Sequence, residues 1–203
     1  MNLQPKITMK RYLAVLVLVA LLVGCEPPKS PSPAEKPSSP SPAPTAPVVQ
    51  VRIADYAALQ QLIAGHRGKV VVVDVWSTTC RPCREEFHHL VDLHKKYGPE
   101  RIACVSLSLD YEGAKHETPE AHKPAVLKFL TEKGATFDNI IASEESQVMM
   151  DKHLRITNPP AVFVYDKTGQ RHEKITPDLD AEDGPQAAGI YDRVEELVAE
   201  WIE

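Results

Sequence analysis

The chain has few of the residues from which metal and nucleic-acid sites are built. It holds four cysteines in 203 residues, and only Cys80 and Cys83 lie close enough in sequence to act as a unit. No second Cys-x-x-Cys pair exists, which leaves a four-thiolate zinc site without ligands. His89 and His94 have finger-like spacing, yet they fall on the helix expected to start at Cys83, and the intervening loop is too short. His88 and the other histidines show no metal-ligand spacing, so no metal is expected. Positive charge is scarce as well: 23 Lys and Arg stand against 28 Asp and Glu, a formal net charge of −5. Without a basic stripe, nucleic acid is excluded as a partner. The one long apolar run, Leu13 to Val23, is too short to span a bilayer as a mature helix.

That run follows Lys6, Lys10 and Arg11, the layout of a secretory leader over 1–24. It closes on Leu22-Val23-Gly24-Cys25, which resembles the lipobox of bacterial lipoproteins and makes Cys25 the lipidated first residue of the mature chain. An ordinary cleaved leader with an incidental cysteine is the alternative. Removal of the leader takes away those three basic residues and no acid, so the formal charge moves from −5 to −8. Residues 25–47 are dominated by Pro, Ser and Ala with no apolar periodicity, and read as a semi-rigid tether. In polyproline II geometry, at about 3.1 Å per residue, it would reach roughly 65 to 70 Å. Residues 48–203 suit one domain.

Within that domain the pattern alternates helix and strand. Asp55 caps a helix bearing Leu59, Leu62 and Ile63 that stops near Gly65. Val70 to Val75 is a β-branched run broken only by Asp74, the mark of a central strand covered on both faces, which buries Asp74. A helix starting at or just before Cys83 carries Phe87, Leu90, Val91 and Tyr97 on one face. Arg101 to Leu109 is a second strand holding Cys104, read as a small buried residue. Asp110 to Lys123 is a polar surface insertion, after which Pro124 opens a helix ending at Gly134. Phe137 to Ile141 is a short strand and Ser146 to Leu154 a short helix. Ala161 to Tyr165 and Gln170 to Ile175 form a hairpin around Gly169. Pro177 to Gly189 is acidic and irregular, and Ile190 to Ile202 is an amphipathic helix. The whole reads as an α/β layered domain.

A strand running into a Cys-x-x-Cys helix start puts Cys80 at the helix edge and Cys83 in its first turn. Unpaired N–H groups and the helix dipole stabilise a thiolate there, and Arg81 adds charge in the same sense. Pro82 has φ preset for a first-turn position. Cys80 is the expected nucleophile and Cys83 the thiol that resolves a mixed disulfide. A proton carrier is also required. Asp74, buried with a raised pKa, and Glu86, one helical step after Cys83, compete for that role, and spacing alone leaves both open.

Asp74-Val75-Trp76-Ser77-Thr78-Thr79-Cys80-Arg81-Pro82-Cys83 resembles the active-site strand and turn of thioredoxins. Cys83-Arg84-Glu85-Glu86-Phe87 is similar to the helix of the membrane-anchored thiol–disulfide oxidoreductases of the TlpA and ResA branch. Asn158-Pro159-Pro160-Ala161 through Asp166-Lys167-Thr168-Gly169 is similar to the segment in which that family's cis-proline opens a strand. The resemblance implies a thioredoxin-like fold, a central mixed β-sheet flanked by helices. It implies a site of Cys80, Cys83, Asp74 and Glu86, with Pro159, Pro160, Trp76, Thr79 and Arg81 meeting the substrate. It also implies no cofactor beyond the redox-active disulfide, and as partners exported protein thiols or disulfides and a membrane thiol–disulfide electron donor. The setting is the periplasm-facing cell envelope, with a lipid anchor. Thr79 replaces the usual tryptophan, and Arg81 and Asn158 are also departures from the family pattern.

Other readings of the same residues are a structural disulfide, a thiol peroxidase of the peroxiredoxin type, and a non-catalytic binding module. The peroxidase signature has a proline seven residues before the cysteine, where this chain has Val73.

Overall fold

Burial of a β-branched strand on both faces organises the domain. The computed structural model describes residues 48–177 and 189–203. The expected leader (1–24), Cys25, the tether over 25–47 and most of the acidic stretch after Pro177 lie outside the described residues.

Six strands form one mixed sheet: β1 (Arg52–Ala54), β2 (Val70–Trp76), β3 (Ile102–Ser108), β4 (Asp138–Ala142), β5 (Ala161–Tyr165) and β6 (Arg171–Ile175). Their spatial order is β1-β4-β3-β2-β5-β6. The β1–β4, β4–β3 and β3–β2 pairs are parallel, and β5 and β6 run antiparallel on the other side of β2. Every residue of β2 and β3 is buried. Side chains alternate across a strand, so Val70, Val72 and Trp76 face one layer and Val71, Val73 and Val75 the other.

The first layer gathers α2 (Arg81–Glu86), α3 (His88–Tyr97), α4 (Pro119–Lys133) and α6 (Ile190–Trp201) through Cys83, Phe87, Leu90, Val126, Leu130, Val194 and Val198. The second packs α1 (Tyr56–Gly65) and the short α5 (Ser146–Val148), which widens into a π-helical stretch over Met149–Leu154. By the same alternation Asp74 falls on the face of Val72 and Trp76, the layer that contains Cys83.

Three sequence expectations are corrected. β1 was not anticipated: three residues are too few to show a period, and its pairing with β4 supplies its order. α4 begins at Pro119, five residues before Pro124, which lies inside the helix. Pro124 has no N–H to return to the Glu120 carbonyl, but Glu120 lies in the exposed first turn, where water can serve that group. Trp76, expected to meet the substrate, is fully buried. Its indole packs between Phe87 and Phe129, with ring centroids 5.1 and 4.6 Å away. It occupies an inward position of a strand covered on both faces, so its role is in the core.

Asp110 is a fourth correction, because it belongs to the interior and not to a surface insertion. It lies two residues beyond the end of β3 and is 7% exposed. Its carboxylate accepts the Thr78 N–H at 2.9 Å, the Thr78 hydroxyl, and the Ser108 hydroxyl. The Leu109 N–H donates to the Trp76 carbonyl at 2.8 Å. Together these bonds bolt the turn Ser77-Thr78-Thr79, which leads β2 into α2, onto the end of β3. Asp110→Ala strands three donors, of which the Ser108 hydroxyl is fully buried, and frees the turn; unfolding by denaturant should show a loss of about 2 to 4 kcal/mol. A change below about 0.5 kcal/mol would remove Asp110 from this role.

Candidate functional site: a disulfide over a buried carboxylate

The Ser77-Thr78-Thr79 turn ends at Cys80, which has extended backbone angles and caps α2. The Ser77 and Thr79 hydroxyls lie 3.1 Å apart, and the Cys80 N–H donates to the Ser77 Oγ at 3.2 Å. The sulfurs of Cys80 and Cys83 are joined in a disulfide with Cα atoms 5.3 Å apart. Cys80 is half-buried, whereas Cys83 is 2% exposed. The Cys83 N–H donates to Cys80 Sγ at 3.3 Å, so an unsatisfied helix donor does point at the outer sulfur. Arg81 contributes less than its position suggested. Its guanidinium stands in solvent and is held by Glu85 at 2.8 Å.

On the sheet face whose covering layer holds Cys83, Asp74 is 3% exposed and its carboxylate accepts the Tyr191 hydroxyl at 2.6 Å. Burial pushes its pKa up to about 7, against the partial relief given by Tyr191. Burial likewise holds the Tyr191 phenol far above its ordinary value, with the Asp74 charge acting in the same direction. The Cys104 thiol on β3 is also raised by burial and by Asp74, and its Sγ lies 3.7 Å from the Leu90 carbonyl. A neutral, inert thiol fits that place. Glu86 is half-buried at the surface, 3.2 Å from the His89 Nε2, and the His89 ring stacks on Tyr191 with centroids 5.1 Å apart. Asp74, Tyr191, His89 and Glu86 therefore form one polar column from the sheet to the surface beside α2.

The distant proline arrives as expected: Pro159-Pro160 is a cis bond, with Pro160 buried and Pro159 half-buried. Two grooves meet at this point. One, of about 470 Å³, includes Thr79, Cys80, Arg81, Leu109, Glu112 and Met150; the other, of about 300 Å³, includes Arg155, Ile156, Pro160 and Lys174. Pro82, Asn158 and Pro159 line both. Of the expected residues, Cys80, Arg81, Thr79, Pro159 and Pro160 line these grooves, Cys83 is joined to the opening through its bond to Cys80, and Asp74 and Trp76 are buried away from the groove linings.

Sequence reasoning missed Asp110 and Tyr191. An acid at the end of a mostly apolar strand, two residues after Ser108, is a usable signal for Asp110. Tyr191 gave none, being next to Ile190 on an amphipathic helix whose register against Asp74 spans 117 residues of chain.

The sequence pattern of the AhpC/TSA family matches residues 44–170. The chain belongs to the AhpC/TSA family. It is 24% identical over 131 residues to the thiol-disulfide oxidoreductase ResA of Geobacillus kaustophilus, covering 64% of this chain and 68% of that protein. It is 28% identical over 131 residues to the thiol:disulfide interchange protein DsbE of Haemophilus influenzae, covering 64% of each. The fold is similar to that of a thiol-disulfide isomerase from Corynebacterium glutamicum, with TM-score 0.51 and 18% identity over 78% of this chain and 97% of the other. With its Cys80–Cys83 disulfide in this thioredoxin-like frame, this member of the AhpC/TSA family is an oxidoreductase of the thiol–disulfide class.

The raised pKa of Asp74 has a thermodynamic sign. Below about pH 4 the carboxyl holds its proton folded or unfolded, and burial costs little more than that of a neutral group. Between about 4 and 7 the unfolded chain releases the proton while the folded chain keeps it, so stability falls as pH rises. Above 7 the penalty is complete, on the order of 4 kcal/mol as a ceiling. Asp74→Asn should raise the denaturation midpoint at pH 8 and leave it nearly unchanged at pH 4; equal effects at both pH values would contradict a titrating carboxyl.

Proposed function

We propose that this protein is a lipid-tethered reductase of disulfides in exported proteins, facing the periplasm from the cell envelope. The observation that carries the reading is the asymmetry of the pair: Cys80 half-buried at the groove junction, Cys83 closed off behind it. The leader-like residues 1–24, the lipobox ending at Cys25 and the Pro-rich tether support the location, as does the likeness to ResA and DsbE proteins.

In the reduced enzyme the Cys80 thiolate attacks one sulfur of the substrate disulfide, forming a mixed disulfide and releasing the other sulfur as a thiolate that takes a proton. Cys83 then gives up its proton and attacks Cys80 Sγ. The second substrate sulfur leaves as a thiol, and the Cys80–Cys83 disulfide of the present structure remains. Two electrons pass from the protein dithiol to the substrate, and a membrane thiol–disulfide donor restores the dithiol. No cofactor is needed, since the sulfurs carry the electrons.

Asp74 is the proton carrier for Cys83 in this scheme. It shares the sheet face and packed layer of Cys83, and a pKa about 7 lets it hold or release a proton near neutrality. Glu86, with His89, stands at the outer end of the same column and suits exchange with solvent. The Pro159 carbonyl offers an acceptor to an extended substrate, and Thr79 and Arg81 border it. Thiol–disulfide exchange is favoured over peroxide reduction by the immediate pairing of the reactive sulfur with Cys83.

Cys83→Ser removes the resolving thiol without touching the attacking one. Expressed in its native envelope, that variant should accumulate mixed disulfides with exported proteins, visible as reductant-sensitive adducts on gels and identifiable by mass spectrometry. Cys80→Ser should trap none. A Cys83→Ser protein free of adducts would overturn the enzyme reading.

A further inference from the structure

The groove on the Pro160 side of the disulfide carries charge of one sign. Among the described residues its lining contains Arg155 and Lys174 and no acidic side chain. The Lys174 Nζ donates to the Arg155 carbonyl at 2.7 Å, which ties the outer strand β6 to the loop before the cis-proline. Among the described residues neither cation has a carboxylate partner within 4.0 Å. The adjacent acid on β6, Glu173, alternates to the other face, where Arg193 holds it at 3.0 and 3.1 Å. A chain with net charge −5 thus places two positive groups, with no carboxylate partner among the described residues, in the groove beside its reactive disulfide.

The main chain of the same loop points the same way. An extended substrate laid beside Pro159 and Pro160 finds carbonyls but no N–H donors, because neither proline has one. The ordinary two-way exchange of main-chain hydrogen bonds is therefore halved at this loop. Donors must come from side chains, and those that line the groove are the Thr157 and Thr176 hydroxyls, the Asn158 amide, Arg155 and Lys174. The two cations among them favour a carboxylate over a neutral carbonyl.

We propose that this groove selects polypeptide disulfides whose reactive cysteine is flanked, on the side lying toward β6, by aspartate or glutamate. The proposal rests on the thiol–disulfide exchange reading and names its substrate class: extended acidic segments. The second groove, which mixes Arg81 with Glu112, exerts no such preference, so the acidic flank also fixes the direction in which the chain lies across Cys80. Fixed charges of this kind act by steering and holding the encounter complex.

The test uses the full reduced protein and synthetic peptides with one cysteine, linked as a mixed disulfide to 2-mercaptoethanol and flanked by either Asp and Glu or Gln. Cys80 attacks the mixed disulfide, Cys83 resolves it, and peptide thiol and 2-mercaptoethanol are released as the protein is oxidised. Second-order rate constants are divided by that for bis(2-hydroxyethyl) disulfide, which carries no charge, with the same protein. The acidic peptide should react faster than its Gln counterpart by roughly three- to tenfold at low ionic strength, the range expected of two solvent-facing ion pairs. That advantage should vanish in 0.5 M salt, a concentration at which the Debye length is below about 8 Å. It should also vanish in Arg155→Gln/Lys174→Gln. Equal rates for the two peptides, or an advantage that survives salt or the double substitution, would overturn the proposal. Should the variant fail to fold, the salt series on the native protein decides alone. Failure of the native protein to reduce bis(2-hydroxyethyl) disulfide would instead overturn the exchange reading, and this proposal with it.

Discussion

A carboxyl group kept out of water in the middle of β2 is the constraint on which the site depends. Asp74 is the sole polar residue of a seven-residue strand that is buried throughout. Its cost is met by one strong hydrogen bond from Tyr191 and by retaining a proton up to about pH 7. A protein selected only for stability would place valine there, as it does at the positions on either side. In the proposed scheme the residue is a proton store on the sheet face covered by the layer of Cys83, the thiol that must lose its proton when a mixed disulfide is resolved.

The same strand sets the position of the sulfurs. β2 ends at Trp76, whose ring is locked between Phe87 and Phe129, and the chain then turns through three hydroxyl residues, of which Ser77 and Thr79 bond each other and Thr78 bonds Asp110. Cys80 emerges at the helix start with its sulfur accepting the Cys83 N–H. Core packing, turn chemistry and helix capping thus converge on one sulfur, and each constrains it from a different direction. The cis Pro159-Pro160 loop closes the site from the antiparallel half of the sheet, so the opening lies where parallel and antiparallel halves meet at β2.

Much of this was legible in the sequence because it depends on local chemistry. The valine run, the Asp55 cap, the Cys-x-x-Cys helix start and the turn at Gly169 each carry a signal within a few residues, and all appear where expected. What was not legible depends on contacts across the sheet. Trp76 reads as a site residue from its place in the motif, yet strand alternation and two distant phenylalanines take it into the core. Asp110 reads as the start of a polar insertion because its distant partner Thr78, 32 residues away in sequence, becomes a neighbour only when β2 and β3 pair. Tyr191 reads as one more residue of an amphipathic helix until α6 docks over Asp74. Three residues of β1 gain their strand identity wholly from β4.

The central claim is that Asp74 exchanges a proton in the neutral range while folded. Carbon-13 NMR of the aspartate side-chain carboxyls of the oxidised protein, assigned by comparison with Asp74→Asn, measures this directly. The account predicts a resonance titrating with a midpoint about 7. A midpoint near 4, the value of an ordinary aspartate, would contradict it.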